Sequence, residues 1–403
     1  MNQAFYNPFL PEFVADPRAM LHRLRAHEPV HFASLISVWI ISSYQHVLEA
    51  QHDERLSAAS KHWDRYQGYF VRGGGQSSAI SKMHDGWMLQ RDPPDHTRLR
   101  ALLNTAFTPR AVEAMRPRIR QIANEILDRF IGAGEMDFCE DLAFPLPIAV
   151  ICDMMGLPRE DYEKIKNWST AILPVFSPSL SLKSWSEITT ALNECRAYFF
   201  EQFERKRREP KDDLLTALLA AYERGDRLDD DELLGTALLL VFAGHATTVQ
   251  LLSGGLELLI RHSDQRQFLM SDPSLINSAV EECLRYVSPL QQIYRSTKED
   301  VEIGGKRIPK GQMVFLSLIG ANFDPAQFPD PDRFDITRAP NRHQAFGHGI
   351  HYCAGAPLSR LEAQITFPIV LERLKNLEIA GPVKRESSLL LRGITSLPLK
   401  FKA

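Results

Sequence analysis

From Leu233 to Leu256 the chain carries no Lys, Arg, Asp or Glu. A stretch of that length either crosses a bilayer or is buried in protein. His245, Thr247, Thr248, Gln250 and several glycines interrupt it, and Asp229, Asp230 and Asp231 crowd its start. Buried helix is therefore the reading, with the acids at the positive end of its dipole. Running from Asp229 to about Arg261, it would be about 50 Å long at 1.5 Å per residue. That is the width of a large domain, so the rest of the chain must pack around it.

The remaining pattern is mostly helical. Pro93 and Pro94 after Asp92 predict a helix start, because proline needs no N–H there. Pro109–Ile131 has helical spacing closed by Gly132 and Gly134, and further helices are expected near 145–155, 159–172, 184–207, 212–223, 264–271 and 275–287. Val38–Ser42 reads as a short strand, 301–319 as a β-hairpin around Gly304-Gly305, and the chain end as short strands. A last helix is expected from about Ala354 to Leu374, and residues 55–92 and 324–340 look irregular. The class is mainly α with a small β portion. No repeat or clear linker divides the 403 residues, so one domain over 1–403 is expected.

Charge and cysteines exclude several functions. Forty-seven basic against fifty acidic residues give a net charge of −3, no magnet for nucleic acid or anionic membrane. Five scattered cysteines without a C-x-x-C pair argue against a disulfide framework and for a reducing cytoplasm. Met1–Asp16, broken by Pro8 and Pro11, does not read as an export signal or anchor.

Four constellations carry chemistry. Phe346-Gly-His-Gly-Ile-His-Tyr-Cys353-Ala-Gly355 places a cysteine where a helix begins, amid glycines that admit close backbone approach. A helix N-terminus favours thiolate, which binds soft or borderline metals, although a lone cysteine is more often a small buried hydrophobe. Glu282 and Arg285 share a helix face, which alone is an ordinary solvated pair. Ala243-Gly-His-Ala-Thr247-Thr248 puts a glycine and two hydroxyls mid-helix, a poor local choice that marks either function or close helix packing. His96 and Arg100 lie four apart on one face of the helix after Asp92.

The first of these, as F-x-x-G-x-H-x-C-x-G, strongly resembles the haem-binding loop of cytochrome P450 enzymes, and the others match that family's motifs in the same order. The resemblance covers about Pro8 to Phe401. It implies the cytochrome P450 fold, with haem b (iron protoporphyrin IX) between the long central helix and the cysteine loop. It also implies Cys353 thiolate as the axial ligand of the iron, pushing electron density toward O–O cleavage. Phe346 would cover the sulfur, with Gly347, Gly355 and Ala243 also against the haem. His96, Arg100, Arg295 and His351 would hold the propionates. Glu282 and Arg285, completed by Arg333, would lock the loop before the cysteine.

Thr247 matches the threonine that helps deliver protons to dioxygen. Ala246 stands where the family has Asp or Glu, which puts the usual acid-assisted path in doubt. Phe323 stands where Arg or His is common.

The implied activity is a monooxygenase inserting one atom of O2 into an apolar small molecule, by hydroxylation or epoxidation in secondary metabolism or xenobiotic oxidation. Electrons would come from a ferredoxin or flavodoxin-type donor with its reductase, received near Arg98, Arg342 and Arg360. The enzyme would be a cytoplasmic monomer without nucleic acid or membrane. The pocket would be lined by Trp87, Leu89, Ile172, Ala243, Gly244, Leu290, Ile293 and Ile394, under a movable roof over 168–182. Competing readings are a peroxide-using haem-thiolate enzyme, a haem sensor without oxygenase activity, and a zinc protein using His343, His348, His351 and Cys353.

Overall fold

The computed structural model describes residues 6–65, 86–172, 182–223, 230–386, 390–391 and 393–402. The central helix runs from Asp230 to Arg261, with Asp230, Asp231 and Glu232 in its first turn and Arg261 in its last. Its length and apolar character would suit a membrane span, but 78% of its most apolar window is buried inside the protein. It packs against the helices Pro145–Met154, Ile276–Val287 and Ala356–Arg373. Gly254 and Gly255 permit that approach: a Cβ at Gly255 would come within 2.5 Å of the Phe367 ring.

The central helix joins two hydrophobic cores. Leu251, Leu252, Leu256 and Leu259 belong to one, with Phe138, Leu284 and Phe367. Leu233, Leu238 and Phe242 belong to the other, with Trp168, Phe199 and Leu215. The polar 243–248 stretch falls between them, which is where an opening in the protein is least costly. Near the helix start, Gly86 rests on it without side chains between: a Cβ at Gly235 would lie 3.1 Å from the Gly86 carbonyl oxygen.

Five short strands form the main sheet, in the order Val30–Ala33, Val38–Ile41, Met313–Ser317, Gln292–Thr297 and Leu56–Ser57. Val38–Ile41 is the expected strand; Val30–Ala33, paired antiparallel to it, and Gln292–Thr297 lack clean alternation and were not expected. The 301–319 segment is only partly a hairpin. Val301–Ile303 and Lys306–Ile308 pair around Gly304-Gly305, whereas Met313–Ser317 joins the main sheet and Leu318–Asn322 is helical. In that sheet Arg295 stands opposite Val314.

Two helix boundaries differ from expectation. The helix after Asp92 begins at Asp95, because the Asp92 carboxylate is taken by Ser57 Oγ and the Ala58 N–H, 3.0 Å away. Pro109–Ile131 is two helices, Pro109–Ala114 and Arg116–Phe130, broken at Met115 ahead of Pro117.

Candidate active site

At the junction of the two cores lies a cavity of about 300 Å³. One wall is the middle of the central helix, with Ala243, Gly244, Ala246, Thr247 and Thr248; the opposite wall is the loop Ala345–Gly355. Trp87, Leu89, Leu290 and Ile293 close it with apolar surface. Six of the eight expected lining residues are therefore here. Ile172 and Ile394 are not; both are packed into the cores, 1% and 2% exposed. Of the expected roof, Trp168 and Ile172 are buried helix residues, while 173–181 lie outside the described residues.

The cysteine loop is held by its own backbone. Gly347 N–H donates to the Gln344 carbonyl, 2.9 Å, and Cys353 N–H to the Phe346 carbonyl, 3.0 Å. Gly347 and Gly349 both take φ +68°, the left-handed region that favours glycine. The final helix begins at Ala356 with Gly355 as its N-cap. Cys353 is half-buried and unpaired. Burial pushes its thiol up; the Gly355 and Ala356 N–H groups and Arg100 pull the other way without winning. The expected lowering by the helix terminus is thus present but outweighed by desolvation.

Beside the sulfur, four cationic or titratable groups converge. His96 and His351 stack with ring centroids 4.1 Å apart. Arg295 is 6% exposed and Arg100 half-buried, its Nη1 donating to the Tyr352 carbonyl at 2.7 Å. Burial, then Arg295, His96 and Arg100, push His351 down to about 2; burial also lowers Arg295 to about 10. No carboxylate of the protein sits among them as a hydrogen-bonded partner among the described residues, and the His96 Nε2 has no partner at all. The positive charge is that of Arg100 and Arg295, the nearby Asp92 carboxylate being hydrogen-bonded to Ser57 and the Ala58 N–H instead. Two such guanidinium groups with two imidazole N–H donors suit an anion.

The Glu282–Arg285 pair is completely buried and doubly hydrogen-bonded, 2.8 Å at each contact. Its third member is not Arg333, whose side chain is 66% exposed and offers only its carbonyl to Arg285. Arg338 takes the place, 3.3 Å from Glu282, joined by Asn341 Nδ2 at 3.0 Å. Phe323 is buried against Tyr286 and Arg285, so packing replaces a polar contact there. Thr247 Oγ1 donates to the Ala243 carbonyl, 3.0 Å, and lines the cavity beside the apolar Ala246.

The chain matches the family model described as Cytochrome P450 over residues 36–402. It is 40% identical to Cytochrome P450 107B1 of Saccharopolyspora erythraea over 402 residues, 96% of each chain. To the 6-deoxyerythronolide B hydroxylase of the same organism it is 39% identical, covering 93% of this chain and 92% of the relative. The crystal structure of P450BioI in complex with a hexadec-9Z-enoic acid ligated acyl carrier protein superposes with a TM-score of 0.89 at 35% identity, over 97% and 99% of the two chains. The chain is a cytochrome P450.

This cytochrome P450 is a haem-thiolate monooxygenase, and its cofactor is haem. The residues fit that group: a cavity with one soft ligand, Cys353, and an anion-seeking cluster at its edge suits a metal porphyrin bearing two carboxylates. The zinc reading fails. His343 is bound to Glu281 at 3.0 Å and His348 to His52 at 2.9 Å, and no three His, Cys, Asp or Glu side chains among the described residues form a metal site. The expected donor surface is also altered, since Arg98 pairs with Glu232 and Arg360 with Glu281, both at 2.6 Å. Arg342 remains exposed.

Sequence reasoning missed Gln51 and Gln344, which grip the loop, and Glu362. This carboxyl is 1% exposed on the cavity wall, with one oxygen unpartnered, and burial raises it well above the usual carboxylate range. Nothing in the periodicity of the final helix marks it. Bacterial members of the family accept electrons from redox partners.

Proposed function

We propose that Cys353 Sγ is the axial iron ligand, and that His96, Arg100, Arg295 and His351 hold the haem propionates. Phe346 and Gly347 cover the sulfur side with Gly355, while Ala243 meets the opposite face. The observation carrying this reading is one cavity lined by both Cys353 and Thr247. Haem bound through a thiolate supplies the activation of dioxygen.

The chain's own residues do the rest. The apolar walls exclude water and orient an apolar substrate against the central helix. Thr247 is the proton-handling hydroxyl. Its own proton is parked on the Ala243 carbonyl, and its oxygen is free to accept from water. With Ala246 beside it, no carboxylate recharges it from the next position, and the route we assign is water in the cavity.

The substrate class is an elongated or macrocyclic apolar molecule, hydroxylated or epoxidised. The relative named 6-deoxyerythronolide B hydroxylase and the P450BioI complex with a hexadec-9Z-enoic acid ligated acyl carrier protein support that class. A ferredoxin or flavodoxin with its reductase is the donor. The protein acts as a monomer in the cytoplasm, a reducing compartment that suits its five unpaired cysteines.

The test is Cys353→Ser. Wild type, reduced and exposed to carbon monoxide, gives the thiolate-type band; the variant loses that band and all turnover. An unaltered band in the variant refutes the ligand assignment.

A further inference from the structure

Two glutamines occupy a place where a protein ordinarily spends apolar side chains. Gln51, in the last turn of the helix Tyr44–His52, and Gln344, just before the cysteine loop, are 7% and 0% exposed. Gln51 Nε2 donates to Gln344 Oε1 at 2.5 Å, and Gln51 Oε1 accepts the His348 backbone N–H at 2.6 Å. Gln344 N–H in turn donates to Asn322 Oδ1 at 2.6 Å, and the Asn322 carbonyl accepts from Arg285 at 2.9 Å. An unbroken polar line therefore runs from the buried Glu282–Arg285 pair through Asn322, Gln344 and Gln51 to the backbone of the cysteine loop.

Its end point is chosen well. His348 lies between Gly347 and Gly349, the two loop residues held at φ +68°. A Cβ at Gly347 would sit 3.2 Å from Gln51 Oε1, and one at Gly349 only 3.1 Å from the Gln51 carbonyl. The glycines are thus shaped around Gln51. A second grip comes from the neighbouring residue, His52, whose Nε2 lies 2.9 Å from His348 Nδ1. Burying two primary amides is costly unless both are satisfied. Here one bond joins them, Gln51 Nε2 also reaches the Val47 carbonyl at 3.2 Å, and Gln344 Nε2 donates to the Tyr44 carbonyl at 3.1 Å.

We infer that Gln51 is a positioning residue for the Cys353 loop, acting through the His348 N–H and Gln344 to fix the sulfur relative to the iron. This rests on Cys353 being the ligand. Removal of Gln51 frees the turn five residues before the cysteine and lets the sulfur drift. Supporting partners of metal ligands typically cost 10–100-fold in metal affinity or activity when removed.

The experiment uses haem-loaded full-length protein in three forms: wild type, Gln51→Leu, and Gln51→Leu with Gln344→Leu. Stability, haem transfer to an acceptor protein, the carbon monoxide band and the iron reduction potential are measured in each. The single variant orphans Gln344 and loses stability as well as haem grip. The double variant leaves neither glutamine unpaired, so stability recovers in part, with the His348 N–H and the Tyr44 carbonyl still lacking their partners. Haem release is expected to stay about tenfold faster than wild type in the double variant, with the potential still displaced.

A double variant that regains wild-type haem release and potential along with stability overturns the inference, leaving Gln51 as filler. Should the single variant fail to fold, the double variant still decides. A wild type without the thiolate band overturns the ligand assignment and this inference together; a normal wild-type band with both variants identical to it sinks only Gln51's role.

Discussion

The two walls of the cavity are built on opposite plans. The cysteine wall is cross-braced by polar groups: Glu282 alone receives Arg285, Arg338, Asn341 and the Asp335 N–H. The facing wall is a smooth helix face where Thr247 makes one bond to its own backbone and the neighbours are Ala243, Gly244 and Ala246. One wall fixes a position, the other fixes a shape. Position requires partners with directions, and shape requires only volume. Changes in the first should therefore be felt as stability and cofactor grip, and changes in the second as chemistry and selectivity.

The largest break in that comparison is Arg285→Leu. It takes from the fully buried Glu282 its doubly bonded partner, leaving only Arg338, Asn341 and the Asp335 N–H. The expected cost is about 3 kcal/mol, read from the urea midpoint of the haem-loaded protein. Thr247→Ala acts on the other wall: the carbon monoxide band and urea midpoint stay put. Product formation is expected to fall by about 10²-fold, the lower end for proton-transfer groups, measured as product per electron consumed. A shift of the band in that variant would erase the separation between the walls.

Glu362 lies on the cavity wall, and burial, by raising its folded value, gives it a pH signature. The unfolded chain releases this proton near its ordinary value of 4.5 while the folded chain keeps it. Stability is therefore lost as pH rises from about 4.5 toward the folded value. Glu362→Gln removes that loss, so the variant matches wild type in acid and pulls ahead at neutral and alkaline pH in thermal melts. Smallest of all is Arg333→Ala, expected within about 0.5 kcal/mol because its side chain is exposed. A large effect there would restore Arg333 to the cluster in place of Arg338.

The same division explains what could be read in advance. Cys353, Glu282–Arg285 and His96 with Arg100 are spaced by the helices and the tight loop that carry them, so the distances that matter are short in sequence. Arg338 was missed because its choice over Arg333 depends on how the irregular 324–340 segment folds back, which no periodicity encodes. Gln51 and Gln344 meet across 293 residues, and a glutamine in a helix's last turn looks like a surface residue until its partner is known. Ile172 and Ile394 were placed in the pocket by likeness, but an isoleucine suits a core as well as a cavity. The start of the helix at Asp95 moved because Asp92 had a better use for its carboxylate.

The bare contact between Gly86 and Gly235 has a consequence for substrate choice. Trp87 follows directly on Gly86 and Leu89 two residues later, so that part of the cavity wall is seated on the central helix through two residues without side chains. One extra carbon at position 235 would act as a shim under that wall, lifting it without altering any atom that faces the substrate. The molecule thus carries an adjustment screw for its cavity well away from the iron side, where resizing would leave the sulfur's grip untouched.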